Sequence, residues 1–130
     1  LPPPDFALDH FLIGADAPDS LKLAVRRAAR VHRPEVLATR AREVLTCDAR
    51  QEILQVAVPL LYLHGTEDKL IAKESLEEIK RLHPQTISIS FRAPHVLLQS
   101  KPRETANAIM EFLEMQCGCQ GLGVKSPAGS

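Results

Sequence analysis

The pattern of apolar and polar positions changes character at Val56. Before that point apolar residues recur at helical spacing. Asp19 or Ser20 is placed to cap a helix running to about His32, with Leu21, Val25, Ala28 and His32 on one face. The opposite face carries Arg26, Arg27, Arg30 and Arg33, a basic run that reads as a solvated helix surface. Pro34 suits the first position of a second helix, reaching about Leu45, because an N–H there would lack an intrahelical partner. Asp48 can cap a third, short helix through Leu54. Residues 1–18 are rich in proline and read as loop around a short apolar patch, Phe6 to Ile13.

From Val56 the run VAVPLLYLHG is apolar almost without interruption and closes on Gly65. That is the pattern of a strand covered on both faces, with Pro59 tolerable only near its start. A charged helix follows at about residues 72–83, where Leu76, Ile79 and Leu82 share one face, and Pro84 stops it. Residues 86–91, TISISF, alternate with period two and predict a second strand. Pro102 opens a last helix whose Ala106, Ile109, Met110 and Leu113 fall on one stripe. Strand, helix, strand with a crossover of this length predicts a parallel βαβ unit. The fold class is therefore α/β. Residues 1–55 form a helical segment, 56–115 a βαβα core, and 116–130, with four of the six glycines, a flexible tail.

Charge then narrows the partners. Sixteen basic and sixteen acidic residues cancel, which removes the electrostatic case for nucleic acid or an anionic membrane surface. The apolar content of 45% argues against a disordered chain. The longest uncharged run, residues 53–66, is 14 residues, short of the roughly 20 that a membrane span needs. The first residues show no basic-then-apolar pattern of a signal peptide. Three cysteines make an odd count without framework spacing, which predicts a reducing, cytoplasmic setting. Cys117 and Cys119 are closer together than paired zinc ligands usually are and read as tail thiols.

Parallel strands release the chain at one edge of the sheet, where open α/β sheets carry their sites. The first strand exits through His64-Gly65-Thr66-Glu67-Asp68-Lys69, the second through Arg92-Ala93-Pro94-His95-Val96. A carboxylate and an imidazole thus reach one rim from positions 27 residues apart. Such a carboxylate fixes the imidazole tautomer and stabilises the imidazolium, freeing the other nitrogen as a general base. Glu67 competes with Asp68 for the acid role. His64 reads as a loop residue, and His83 complements a helix C-terminus. His10 and His32 have no partner in the pattern, and no histidine spacing supports a metal site.

These residues resemble the C-terminal part of an α/β-hydrolase. The likeness rests on Val58-Pro59-Leu60-Leu61-Tyr62-Leu63-His64-Gly65-Thr66-Glu67-Asp68-Lys69, then Ala93-Pro94-His95-Val96-Leu97-Leu98-Gln99, then Pro102. The family's order is an apolar strand after Pro, a Gly, an Asp two or three residues on, a His after the next strand, and a closing helix. The resemblance implies that Asp68 is the acid and His95 the base of a Ser-His-Asp triad. It also implies that the helices of residues 20–54 are lid or cap, and that the substrate is a small molecule with an acyl or related carbon bond. Neither metal nor organic cofactor is implied.

One departure is large. The family's nucleophile sits in a G-x-S-x-G elbow before the acid, and these residues hold no such motif. Ser20 and Ser75 lie at or in predicted helices, Ser88 and Ser90 in a strand, Ser100 before a helix, and Ser126 and Ser130 in the tail. The oxyanion-hole loop is missing as well. Together with a first residue that is Leu rather than Met, this predicts a C-terminal fragment of a serine hydrolase, inactive alone. Two predicted strands also leave the apolar edge at residues 56–63 unpaired, an invitation to self-association. The alternative is therefore a non-catalytic, self-associating α/β module. A βαβ domain binding a small ligand at the same edge lacks a Gly-rich phosphate turn in its support.

Overall fold

Two five-residue strands, β1 (Leu61–Gly65) and β2 (Ile87–Phe91), pair in parallel in the computed structural model, which describes residues 3–118. Leu61 lies opposite Ile87 and Gly65 opposite Phe91, and the helix Lys73–Leu82 connects the strands. The architecture is mixed α/β with a small parallel sheet, as the periodicity predicts. Around it the helices run in order: α1 (Asp5–Leu8), α2 (Asp19–Val31), α3 (Pro34–Thr46), α4 (Arg50–Leu54), α5 (Lys73–Leu82), α6 (Leu97–Ser100) and α7 (Pro102–Cys117). Among the described residues no helix is long and apolar enough to cross a membrane.

The first strand is shorter than its apolar run. Pro59 has no N–H to donate, and the ladder begins where the Ile87 N–H donates to the Leu60 carbonyl at 2.9 Å. Residues 56–60 therefore approach as extended chain outside the sheet. Nor is β1 covered on both faces: residues 61–64 are half-buried, and Gly65 alone in this strand is buried. Two strands make a sheet too narrow for its helices to enclose, although α7 packs on β1. The turn into β2 is built more firmly. Thr86, buried, donates its hydroxyl to the His83 carbonyl at 2.7 Å, so the His83 Nδ1–H donates to Thr86 Oγ1 at 3.0 Å. His83 thus braces a turn, beyond the helix-end role expected of it.

The N-terminal segment departs most from expectation. Residues 5–13 are not loop: α1 runs directly into a π-helical turn, Asp9–Ile13. The Gly14 N–H closes it on the Asp9 carbonyl at 2.8 Å, and Gly14 leaves with φ 82°, a conformation that favours glycine. The turn drives Ile13 to 1% exposure, a burial worth about 1.5–3 kcal/mol. Leu8, Ile13, Ala93, Leu97 and Ala108 form the buried apolar set, with buried Thr105 satisfied by donating to the Lys101 carbonyl at 2.7 Å. The core is thus drawn from the N-terminal turn, the segment after β2 and helix α7, away from the sheet centre.

Three smaller expectations change. Pro18, not Asp19 or Ser20, precedes α2, and Asp19 takes the first helical position without a side-chain cap bond. Ala49 is the N-cap of α4, yet Asp48 still serves that helix end, accepting the Arg50 N–H at 3.1 Å. Helix α7 continues through Cys117 to a left-handed Gly118 with φ 59°, so the predicted tail loses its first two residues to helix. Cys119 and the rest of that tail lie outside the described residues, and with them the pairing of Cys117 and Cys119. Among the described residues Cys47 and Cys117 form no disulfide, and both are exposed.

Candidate active site

The chain leaving β1 stays close to the chain leaving β2. Past the strands, the Thr66 N–H donates to the Phe91 carbonyl at 2.8 Å and the Glu67 N–H to the Ala93 carbonyl at 3.1 Å. Gly65 permits this approach. A Cβ there would sit 2.5 Å from the Ala93 oxygen and 2.8 Å from the Pro94 oxygen, inside contact distance of both. The two exits are therefore tied by two hydrogen bonds before either catalytic candidate appears.

Asp68 and His95 are brought together by this geometry. His95 Nδ1 lies 2.9 Å from Asp68 Oδ2. The second carboxylate oxygen accepts the Leu70 N–H at 2.8 Å and the Ile71 N–H at 3.0 Å, so Asp68 caps its own loop while holding the imidazole. Asp68 is 10% exposed and the His95 side chain 35%. Burial alone would raise the Asp68 carboxyl. The Ile71 N–H, the His95 ring and the Leu70 N–H outweigh it and hold the group below the usual carboxylate range. An ionised carboxylate can only accept, so Nδ1 carries the hydrogen and Nε2 is the unshared nitrogen. Among the described residues no hydrogen bond reaches Nε2.

The depressed Asp68 value makes a signed prediction. Its contribution to stability is complete well above the ordinary value of 3.8 and is lost as pH falls through the lower folded-state value. The Tm gap between the wild type and Asp68→Asn is expected to shrink as pH falls below about 4. A gap independent of pH would mean that ionisation of Asp68 does not support the fold.

The competing residues go elsewhere. Glu67 turns to Arg92, whose Nε donates to Glu67 Oε1 at 2.8 Å on an exposed surface. His64 lies in β1 beside Tyr62, with ring centroids 6.3 Å apart. Burial, with the Asp68 carboxylate second, pushes the Tyr62 hydroxyl up, so it stays protonated. Ser20 and Ser75 sit in helices α2 and α5 and Ser88 and Ser90 in β2, while Ser100 donates its hydroxyl to the Leu97 carbonyl at 3.1 Å. None of these serines hydrogen-bonds His95; Ser126 and Ser130 lie outside the described residues. No group of three His, Cys, Asp or Glu side chains converges for a metal among the described residues.

Sequence reasoning missed the neighbour of this pair. The π-helical turn lies against both loops: the Val96 N–H donates to the Leu12 carbonyl at 3.1 Å, and Lys69 Nζ lies 3.5 Å from His10 Nδ1. Between the turn and the loops opens a cleft of about 310 Å³ whose walls include Ile13, Leu21, Glu67, Pro94 and Lys101. A larger cleft of about 380 Å³, where α3 and α4 meet α5, is lined by neither Asp68 nor His95. No model of a protein family matches the sequence, and no curated protein matches it.

Proposed function

We propose that this chain is the C-terminal portion of a cytoplasmic serine hydrolase of the α/β-hydrolase type, carrying the acid and base of its triad. The observation that carries the reading is the Asp68–His95 bond at 2.9 Å, delivered by the exit loops of two parallel strands, with Nε2 left open. Asp68 keeps the hydrogen on Nδ1. Nε2 accepts the proton from a serine hydroxyl supplied by the chain before Leu1 as that oxygen adds to the substrate's acyl carbon. The proton then goes to the leaving group, and water, deprotonated at the same nitrogen, releases the acid and restores the serine. Helices α2 to α4 would cover the acyl pocket as a lid. The sequence likeness and this pair geometry support the reading together.

The test compares two proteins on short-chain nitrophenyl esters: these 130 residues alone, and the polypeptide extended by its native upstream sequence. Turnover is expected only from the extended form. Turnover by the 130 residues alone that survives His95→Ala would sink the proposal. One observation favours the second reading, a self-associating module. The outer edge of β1 is unpaired among the described residues, and Val58, just before it, is 66% exposed. A dimer whose 61–65 amides are protected from exchange, with an extended form inactive on every ester, would favour that module.

A further inference from the structure

Helix α2 holds the N-terminal segment, residues 5–15, by three basic side chains on one stripe. Lys22 Nζ donates to the Ala15 carbonyl at 3.1 Å. Arg26 donates to both oxygens of Asp9, with Nε at 3.2 Å from Oδ1 and Nη2 bonded to Oδ2. Arg30 Nη2 donates to both oxygens of Asp5, at 3.0 and 2.9 Å. The bidentate Arg26 pair is part-buried, and such a pair is directional where a single exposed contact is not. Asp9 has a second task, since its carbonyl closes the π turn on Gly14. From that turn, Leu12 bonds Val96, the residue after His95, and His10 faces Lys69, the residue after Asp68.

We infer that Arg26 is a positioning residue for the Asp68–His95 pair, acting through the π-helical turn that its bond to Asp9 holds against both loops. The turn works as a strap. It touches the acid loop at Lys69 and the base loop at Val96, a second attachment besides β1 and β2, which already fix the spacing of the loops. With both attachments made, the imidazole has little freedom to swing off the carboxylate. With the strap loose, only the strands remain. The consequence for catalysis rests on the hydrolase reading, but the positioning itself is measurable without substrate.

The experiment is NMR hydrogen exchange on the 130-residue chain, following the His95 Nδ1 proton and the amides of Gly14 and Val96. Arg26→Gln and Asp9→Asn are each expected to speed all three about tenfold, and the double variant little further, because both remove the Arg26–Asp9 bond and the remaining Arg26–Asp5 contact is longer, at 3.8 Å. Arg26→Lys keeps the charge but not the fork and should fall between. The amides of β2 should be unchanged, and Arg50→Gln, which removes only the bond to Glu78 on α5 and the pairing with Asp48, should leave the Nδ1 proton alone. Acceleration at Gly14 and Val96 with an unmoved Nδ1 proton overturns the inference, as does equal acceleration of the sheet amides. If the strap result holds while the extended polypeptide hydrolyses nothing, the hydrolase proposal fails and the positioning stands.

Discussion

On the proposed hydrolase function, replacing His95 by Ala in the extended polypeptide is expected to lower kcat by about 10⁶-fold, and Asp68→Asn by about 10⁴-fold. The inequality follows from what each group does. Without the imidazole nothing accepts the nucleophile's proton, so the whole activation is lost. Without the carboxylate the imidazole survives, but its tautomer is no longer fixed by the 2.9 Å bond from Nδ1, and the forming imidazolium loses its counter-charge. An amide at position 68 can also offer an N–H to the ring, which selects the wrong tautomer. The double variant should be little worse than His95→Ala, since the two act as one unit. Glu67→Gln is the control: its partner is the exposed Arg92, and its loss should leave kcat within about twofold. Steady-state kinetics on the four variants decides the matter. A Glu67 effect as large as that of Asp68, or an active His95→Ala, would end the assignment.

Gly65→Ala should be the most damaging single methyl addition near the site, costing about 2–3 kcal/mol and lowering Tm by about 10 °C. The clash is with backbone. The new Cβ would meet the Ala93 and Pro94 oxygens at 2.5 and 2.8 Å, and neither can rotate aside. Relief requires the two exit loops to part, which breaks the bond from the Glu67 N–H to the Ala93 carbonyl and shifts Asp68 away from His95. Loss of the His95 Nδ1 proton signal should accompany the loss of stability. Ser90→Ala, at an exposed position of β2, should stay within about 0.5 kcal/mol of wild type. A melt of Gly65→Ala indistinguishable from that control would show that the loops open at no cost.

The order of elements and the meeting of Asp68 with His95 were legible because both depend on topology. Parallel strands must release their loops at one edge, so two residues placed just past two strands converge wherever the strand ends fall within a residue or two. The extent of β1 was not legible. A continuous apolar run carries no period to mark its boundary, and the start was decided by its partner, since pairing begins with Ile87 and the Pro59 nitrogen cannot contribute. The loop assigned to residues 1–18 failed for a different reason. Three prolines dominate its opening, but the π turn is decided by tertiary burial of Leu8 and Ile13 and by Gly14 at its end.

A signal for that packing was present. Asp5 and Asp9 are four residues apart, as are Arg26 and Arg30, and two helical segments with matched spacing and opposite charge can pair twice. The basic face expected to be solvated is divided by this: Arg26 and Arg30 hold the turn. No serine among the described residues hydrogen-bonds His95, and the proposed hydrolase would take its nucleophile from the upstream chain.

The strap also sets an order of assembly. Pairing Leu61 with Ile87 closes a loop of 26 residues, whereas the Leu12–Val96 bond closes one of 84. Closure entropy grows with the logarithm of length, so the longer loop costs about 1 kcal/mol more before any contact rewards it. The βαβ unit should therefore bring its acid and base into register first, with the N-terminal turn docking onto a rim already formed. In the native state the same ledge should detach first, an opening that wets the imidazole while the sheet stays folded.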